Sequence, residues 1–192
     1  MPPSFILASA SPRRQELLKS MGFDFIVIPS GVDEKFLEGE PVSEHVMRLS
    51  REKALAVADR NPEAWVLGAD TIVVIDGEVL GKPGSKKEAR EMLMRLSGKK
   101  HRVLTGFSVV RTRVNVVKSD LVESSVFFKE VSEDELEWYI DTEEPYDKAG
   151  GYAVQGKAAS FVKEIRGSHT NVIGLPLSEV VAALKEVGAI SF

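Results

Sequence analysis

The chain has 192 residues, 43% of them hydrophobic and 28% charged, with a formal net charge of -4. That length suits one domain, or one domain of two lobes, and the apolar content is too high for a disordered chain. Mild acidity gives no general attraction to nucleic acid or an anionic membrane, so an anionic ligand must be held by a local group of lysines and arginines. With no cysteine, disulfides and thiolate metal sites are excluded, which suits a reducing, cytoplasmic setting. The opening apolar run is too short for a signal peptide, and no run of about 18 apolar residues offers a membrane span.

Phe5 to Ala8 reads as a buried strand. Ser11 then reads as an N-cap with Pro12 in the first helical position, opening a helix to about Met21 that Gly22 ends. Phe23, Phe25 and Val27 alternate as a strand, and Ser43 opens a second helix to about Ala58. Trp65 to Gly68 and Thr71 to Ile75 are strand segments either side of Ala69-Asp70, and Asp76-Gly77 signals a hairpin turn. Ser85 with Glu88 predicts a capping box before a helix from Ala89 to Leu96, closed by Gly98. Val103 to Arg111 and Leu121 to Val131 read as long strands, expected to be antiparallel. Ser132 with Glu135 is a second capping box, for a helix to about Ile140. Short strands are predicted near Tyr152–Val154 and Ser160–Ile165, and a last helix from Pro176 to Val187. Strands and helices interleave, so the fold class is α/β.

The first chemical constellation is Ser9-Ala10-Ser11-Pro12-Arg13-Arg14, between a strand and a helix. Two arginines are unfavourable at the positive end of a helix dipole. They make sense with a phosphate between them and the helix end, since guanidinium matches phosphate oxygens bidentately. Pairing with Glu16 or Glu34 is the plainer alternative. Asp70 lies between apolar segments, where a carboxylate is costly unless paired or bound to metal. Glu34, in the loop after the second strand, could supply a second carboxylate for Mg²⁺, which takes one or two of them plus substrate phosphates. Each could equally be a turn cap or a solvated side chain. A lone lysine such as Lys53, within a helix, is ordinarily solvated surface. Lys82, in Gly81-Lys82-Pro83-Gly84, is the better ligand candidate because glycines permit close approach. Residues 145–156 pack charges, three glycines and two tyrosines into what would be a poor plain connector. P-loop and nucleophile-elbow motifs are missing, and His45, His101 and His169 lack metal-ligand spacing. His45 and His101 read as ordinary helix and strand-edge residues.

Taken together, L-A-S-A-S-P-R-R-Q-E-L-L (7–18), V-D-E (32–34), E-K-A (52–54), G-A-D-T (68–71), L-G-K-P (80–83), L-T-G (104–106), Y-D-K-A-G-G-Y-A-V-Q-G (146–156) and G-S-H-T-N-V-I-G-L-P-L (167–177) resemble the motifs of the Maf family, in order and across nearly the whole chain. The resemblance implies a single Maf-like domain over residues 1–192. Its fold would be α/β, a long twisted mixed sheet flanked by helices, with two lobes around a central cleft, inosine triphosphatase-like, and often a homodimer. It implies a nucleoside triphosphate pyrophosphatase that hydrolyses dTTP and UTP, or modified uridine triphosphates, to monophosphate and pyrophosphate by metal-assisted water attack at the α-phosphate.

By position, Asp70 matches the catalytic carboxylate of the family, its proton acceptor, and Arg13, Thr71 and Gln155 match residues tied to substrate specificity. Ser9, Arg13, Arg14, Lys53 and Lys82 correspond to phosphate-binding positions, and Glu34 with Asp70 to the holders of Mg²⁺ or Mn²⁺. His169 departs from the pattern, where an aromatic is more usual. Thr71 with Gln155 resembles the dTTP/UTP subgroup rather than the one that prefers 7-methyl-GTP. A glutamine amide offers one donor and one acceptor, which complements the uracil or thymine edge; a carboxylate only accepts. The alternative from another class is a nucleotide-sensing regulator of cell division, for which catalysis is inessential. A minor-groove DNA binder built on Ser-Pro-Arg-Arg would need a wider basic surface.

Overall fold

The computed structural model describes residues 5–191; Met1–Ser4 and Phe192, which the expected domain span includes, lie outside the described residues. Seven strands form one mixed sheet: β1 (Phe5–Leu7), β2 (Ile26–Val27), β3 (Trp65–Ile75), β4 (Glu78–Leu80), β5 (Lys100–Arg111), β6 (Val116–Phe128) and β7 (Val162–Arg166). The order is β2-β1-β3-β5-β6-β7, with β4 paired to β3. β1 runs parallel to both neighbours, Ile6 facing Ile26 and Val66, while β3–β4 and β6–β7 are antiparallel. The helices are α1 (Pro12–Ser20), α2 (Val42–Ala58), α3 (Lys86–Leu96), α4 (Glu133–Ile140), α5 (His169–Ile173) and α6 (Leu177–Glu186). The α/β class with a mixed sheet is therefore the observed architecture.

Local chemistry explains most boundaries. Ser85 and Ser132 cap α3 and α4, and Glu135 returns the full capping box; at α3 the Glu88 carboxylate instead accepts from Gly84 N–H. Asp76 and Gly77 both have positive φ, 51° and 82°, as the β3–β4 hairpin requires. The continuation past Ala69-Asp70 is observed, with β3 running unbroken through eleven residues. Two expectations need correction. β2 is only two residues long: Phe23 and Phe25 lie outside the ladder and meet Phe5 in edge-to-face ring pairs. No strand forms at Tyr152–Val154: Gly150, Gly151 and Gly156 adopt φ of 70°, 72° and 85° and wind the segment into 3-10 turns, Glu144–Asp147, Ala149–Gly151 and Lys157–Phe161.

The chain divides into two compact units. The first comprises Met1–Asp70, Thr105–Val122 and Gly174–Phe192, and the second Thr71–Leu104 and Glu123–Ile173. In the first unit, α2 buries His45/Val46, Leu49/Ser50, Lys53/Ala54 and Val57/Ala58, a stripe at helical spacing. Two glycines let strands touch this helix's backbone. A Cβ on Gly68 of β3 would meet Ser50 O at 2.3 Å, and one on Gly106 of β5 would meet Val46 O at 2.4 Å. A chain of hydroxyls beside them, Ser50–Ser108–Ser119 at 2.8 and 2.7 Å, satisfies its own polar atoms.

The second unit is packed around Leu93, Leu96, Val126, Phe128, Leu136, Tyr139 and Phe161, with aromatic rings meeting edge to face. His101 is 1% exposed, not the strand-edge residue expected, and its Nε2 lies 2.6 Å from the Tyr152 hydroxyl. Its Nδ1 has no hydrogen-bond partner among the described residues, so an imidazolium would lack one of its two acceptors. Burial accordingly lowers the His101 pKa from 6.5 to about 4.

Two outcomes are expected. Gly106→Ala must push β5 off α2 and cost about 1–3 kcal/mol, read as a lowered denaturation midpoint. For His101, the unfolded chain binds the extra proton more readily, so its contribution to stability is complete above pH 6.5 and is lost as pH falls toward about 4. Thermal melting across that window should show the loss, and His101→Gln should flatten it.

Candidate functional site

The β1–α1 turn sets the first half of the site. Ser11 occupies the N-cap position without a side-chain cap, and Pro12 starts the helix. Ser9 takes over the local work: its Oγ accepts from Ser11 N–H at 3.2 Å and from Arg14 Nη1 at 3.2 Å. No acid stands in the first turn of α1, which carries Arg13 and Arg14 instead. Arg14 binds three separate segments of the first unit. Its Nη1 also donates to Ala69 O at 2.9 Å, and its Nε to Gly174 O at 2.8 Å. The guanidinium thus grips β3 one residue before Asp70. Burial lowers the Arg14 pKa, while Asp70 and Glu34 oppose that shift and Arg13 adds to it, so these four charges share one neighbourhood.

The second half is an ion triad. Lys53 Nζ donates to Asp70 Oδ1 at 2.7 Å and to Glu34 Oε1 at 2.6 Å. The Lys53 and Asp70 side chains are 7% and 9% exposed, whereas Glu34 is 57% exposed. Lys53 reaches Asp70 because it sits on the buried stripe of α2 and because Gly68, two residues before Asp70, lets β3 lie against that helix. Lys53 is therefore embedded, not the solvated surface lysine that its place in a helix predicts, whereas Lys82 is exposed. The signal was present: Lys53 falls on the stripe 46, 49/50, 53/54, 57/58.

The two carboxylates suit a divalent ion that draws its other ligands from phosphate and water. Among the described residues no three His, Asp or Glu gather as a self-sufficient cage. The donor chemistry thus fits a cation arriving with a phosphorylated ligand, and Lys53 holds the position between the carboxylates.

The second unit carries the remaining candidates. Thr71 follows Asp70 directly in β3, so the two side chains leave opposite faces of the strand. The Lys82 loop is tied to the 146–156 segment: Gly150 N–H donates to Gly81 O at 2.9 Å. Exposed Gln155 is followed by Gly156, whose missing Cβ would meet Glu144 Oε1 at 2.7 Å. The Glu144 carboxylate accepts from Lys157 and Ala158 N–H at 3.1 and 3.3 Å, fixing the chain just beyond Gln155. Sequence reasoning missed Glu144, the buried Asn171 that bonds Val103 O and Ser124, and the burial of His45. The sequence pattern carried no helix signal for the short α5, where His169 is exposed.

The comparisons with known proteins agree with the motif reading. The family model described as Maf-like protein matches residues 4–187. A protein of Syntrophus aciditrophicus named dTTP/UTP pyrophosphatase is 59% identical over 97% of this chain and 91% of its own length. Relatives with the same name from Geotalea uraniireducens and Symbiobacterium thermophilum are each 50% identical, covering 97% and 95% of the chain and 96% and 93% of their own lengths. The Staphylococcus aureus Ham1 protein superposes with a TM-score of 0.56 at 15% identity, over 96% of this chain and 99% of that one, a likeness of fold alone. With the family pattern spread over both units and carried at such identity, the chain belongs to the Maf family.

Proposed function

We propose that this protein is a nucleoside triphosphate pyrophosphatase acting on dTTP and UTP, with release of the monophosphate and pyrophosphate. The carrying observation is the buried Asp70 carboxylate held by Lys53, in the charged neighbourhood of the first turn of α1. A carboxylate kept there at the cost of desolvation has a use, and names borne by relatives of up to 59% identity support which use. The activity is taken to belong to one Maf-like domain over residues 1–192, since the matched family span crosses both units. The homodimer, the cytoplasmic setting, and the absence of nucleic-acid and membrane partners belong to the same proposal.

In this reading Arg13 and the N–H groups opening α1 bind phosphate oxygens, and Lys53 neutralises their charge. Ser9 and Arg14 act mainly by holding the turn and the Ala69 carbonyl, on the hydrogen bonds described. Lys82 contributes a further cation for the phosphates. Mg²⁺ or Mn²⁺, held by Glu34 and Asp70, would supply charge stabilisation of the phosphoryl oxygens and a more acidic water. A water oxygen bonds to the α-phosphorus while the bond from that phosphorus to the pyrophosphate oxygen breaks, and Asp70 either takes that water's proton or holds the metal that acidifies it. Gln155 reads the base through its paired donor and acceptor, with Thr71 beside the acid shaping the same preference.

Pure protein with dTTP or UTP and Mg²⁺ or Mn²⁺ should yield monophosphate and pyrophosphate; diphosphate and phosphate would overturn the reaction, and tight binding without turnover would favour a sensor. Asp70→Asn should keep the fold, by circular dichroism, and lose about 10²–10⁴-fold in kcat. Gln155→Glu leaves acceptors facing acceptors, so kcat/KM for UTP should fall by about 1–3 kcal/mol of transition-state binding, measured against a panel of bases.

A further inference from the structure

A second charged cluster in the first unit lies outside the machinery just described. Glu40, the side chain of which is 6% exposed, receives Arg48 in a two-pronged pair, Nε to Oε1 at 2.5 Å and Nη2 to Oε2 at 2.8 Å. Its Oε2 also meets His45 Nδ1 at 2.9 Å and Leu37 N–H at 3.2 Å. Arg48 holds the Glu40 carboxyl well below the usual carboxylate range. The Phe36 ring stacks flat on the buried imidazole of His45, with centroids 3.4 Å apart and planes inclined by 1°. Arg48 Nη1 reaches Glu52 on the same helix at 3.1 Å.

One contact gives this cluster its direction: Arg48 Nη2 donates to the Lys35 carbonyl at 3.0 Å, one residue beyond Glu34. Glu34 itself is more than half exposed and stands on a segment without helix or strand. Lys53, its partner, lies five positions after Arg48 on α2. One rigid helix therefore carries both the lysine that Glu34 faces and the arginine that pins the loop bearing Glu34.

We propose that Glu40 and Arg48, with Phe36 seated on His45, are positioning residues that clamp the 33–41 loop to α2 and so hold the Glu34 carboxylate at Lys53 and Asp70. The inference rests on Glu34 serving the nucleotide site. Charge alone does not suffice: lysine at position 48 could meet Glu40 but could not also span to the Lys35 carbonyl with a planar fork.

The test is a cycle of Arg48→Lys and Glu34→Gln, with kcat/KM for dTTP measured for all four proteins. Arg48→Lys should cost roughly tenfold in the native background and less than twofold in the Glu34→Gln background, because the residue acts through Glu34. Equal losses in both backgrounds, or no loss in either, would overturn the clamp. Glu34→Gln at the native rate would remove the role of Glu34 and the clamp with it. Trypsin on the folded proteins gives a reading free of turnover: cleavage after Lys35 should speed about tenfold in Arg48→Lys and in the isosteric Glu40→Gln, as expected when a local opening is no longer held. Unchanged cleavage at that bond overturns the clamp even if Arg48→Lys folds poorly, since Glu40→Gln preserves shape. A native protein that leaves dTTP intact would instead sink the pyrophosphatase reading, with the tryptic result still deciding the clamp.

Discussion

The ammonium of Lys53 between Asp70 and Glu34 is the interaction on which the first unit's chemistry depends. Desolvating an ammonium and a carboxylate costs several kcal/mol per ion, which their attraction offsets only in good geometry. Bonds of 2.6 and 2.7 Å provide that geometry, and the surrounding backbone is built to maintain it. Gly68 brings β3 onto α2, and Arg14 fixes the carbonyl before Asp70. Removing any one of these supports leaves a buried charge to find another partner. The arrangement is thus costly for folding and is understandable as a store of charge kept ready for an anionic ligand.

The two units divide the chemistry by type. The first gathers charge: two arginines at a helix start, a buried lysine and two carboxylates. The second holds its exposed amide, Gln155, on a segment wound by glycines and fastened by Glu144, with Tyr152 anchored by His101. Reading a base needs hydrogen-bond geometry rather than net charge, and a fastened exposed amide suits that task.

Most of the fold was legible because its signals are local. Capping residues, Pro12, and the Asp76-Gly77 turn marked α1, α4 and the β3–β4 hairpin within a residue or so, and α3 by its cap and its end, though the helix starts at Lys86 rather than Ala89. What failed depended on distant partners. Phe23 and Phe25 alternate like a strand, yet they stay outside the ladder and pair their rings with Phe5. Tyr152–Val154 reads as a strand, yet three positive-φ glycines coil it. The site followed the same division. The Ser-Pro-Arg-Arg turn and Asp70 stood out by residue type at an unfavourable place, whereas Lys53 read as solvated surface because a single lysine in a helix carries no sign of burial until it is set on the apolar stripe. The Glu40–Arg48 pair spans eight residues and depends on how the loop folds back, which no local pattern encodes.

The two glycine windows also have a mechanical meaning. With the backbones of β3 and β5 resting directly on α2 at Gly68 and Gly106, there is no layer of side chains to act as a bearing. Sliding or rolling the helix would drive peptide groups into one another, and packed interiors do not deform smoothly. Any adjustment to a ligand within this unit is left to side-chain rotations, so α2 serves as the fixed datum from which the acid, its lysine and the loop clamped to it are all measured.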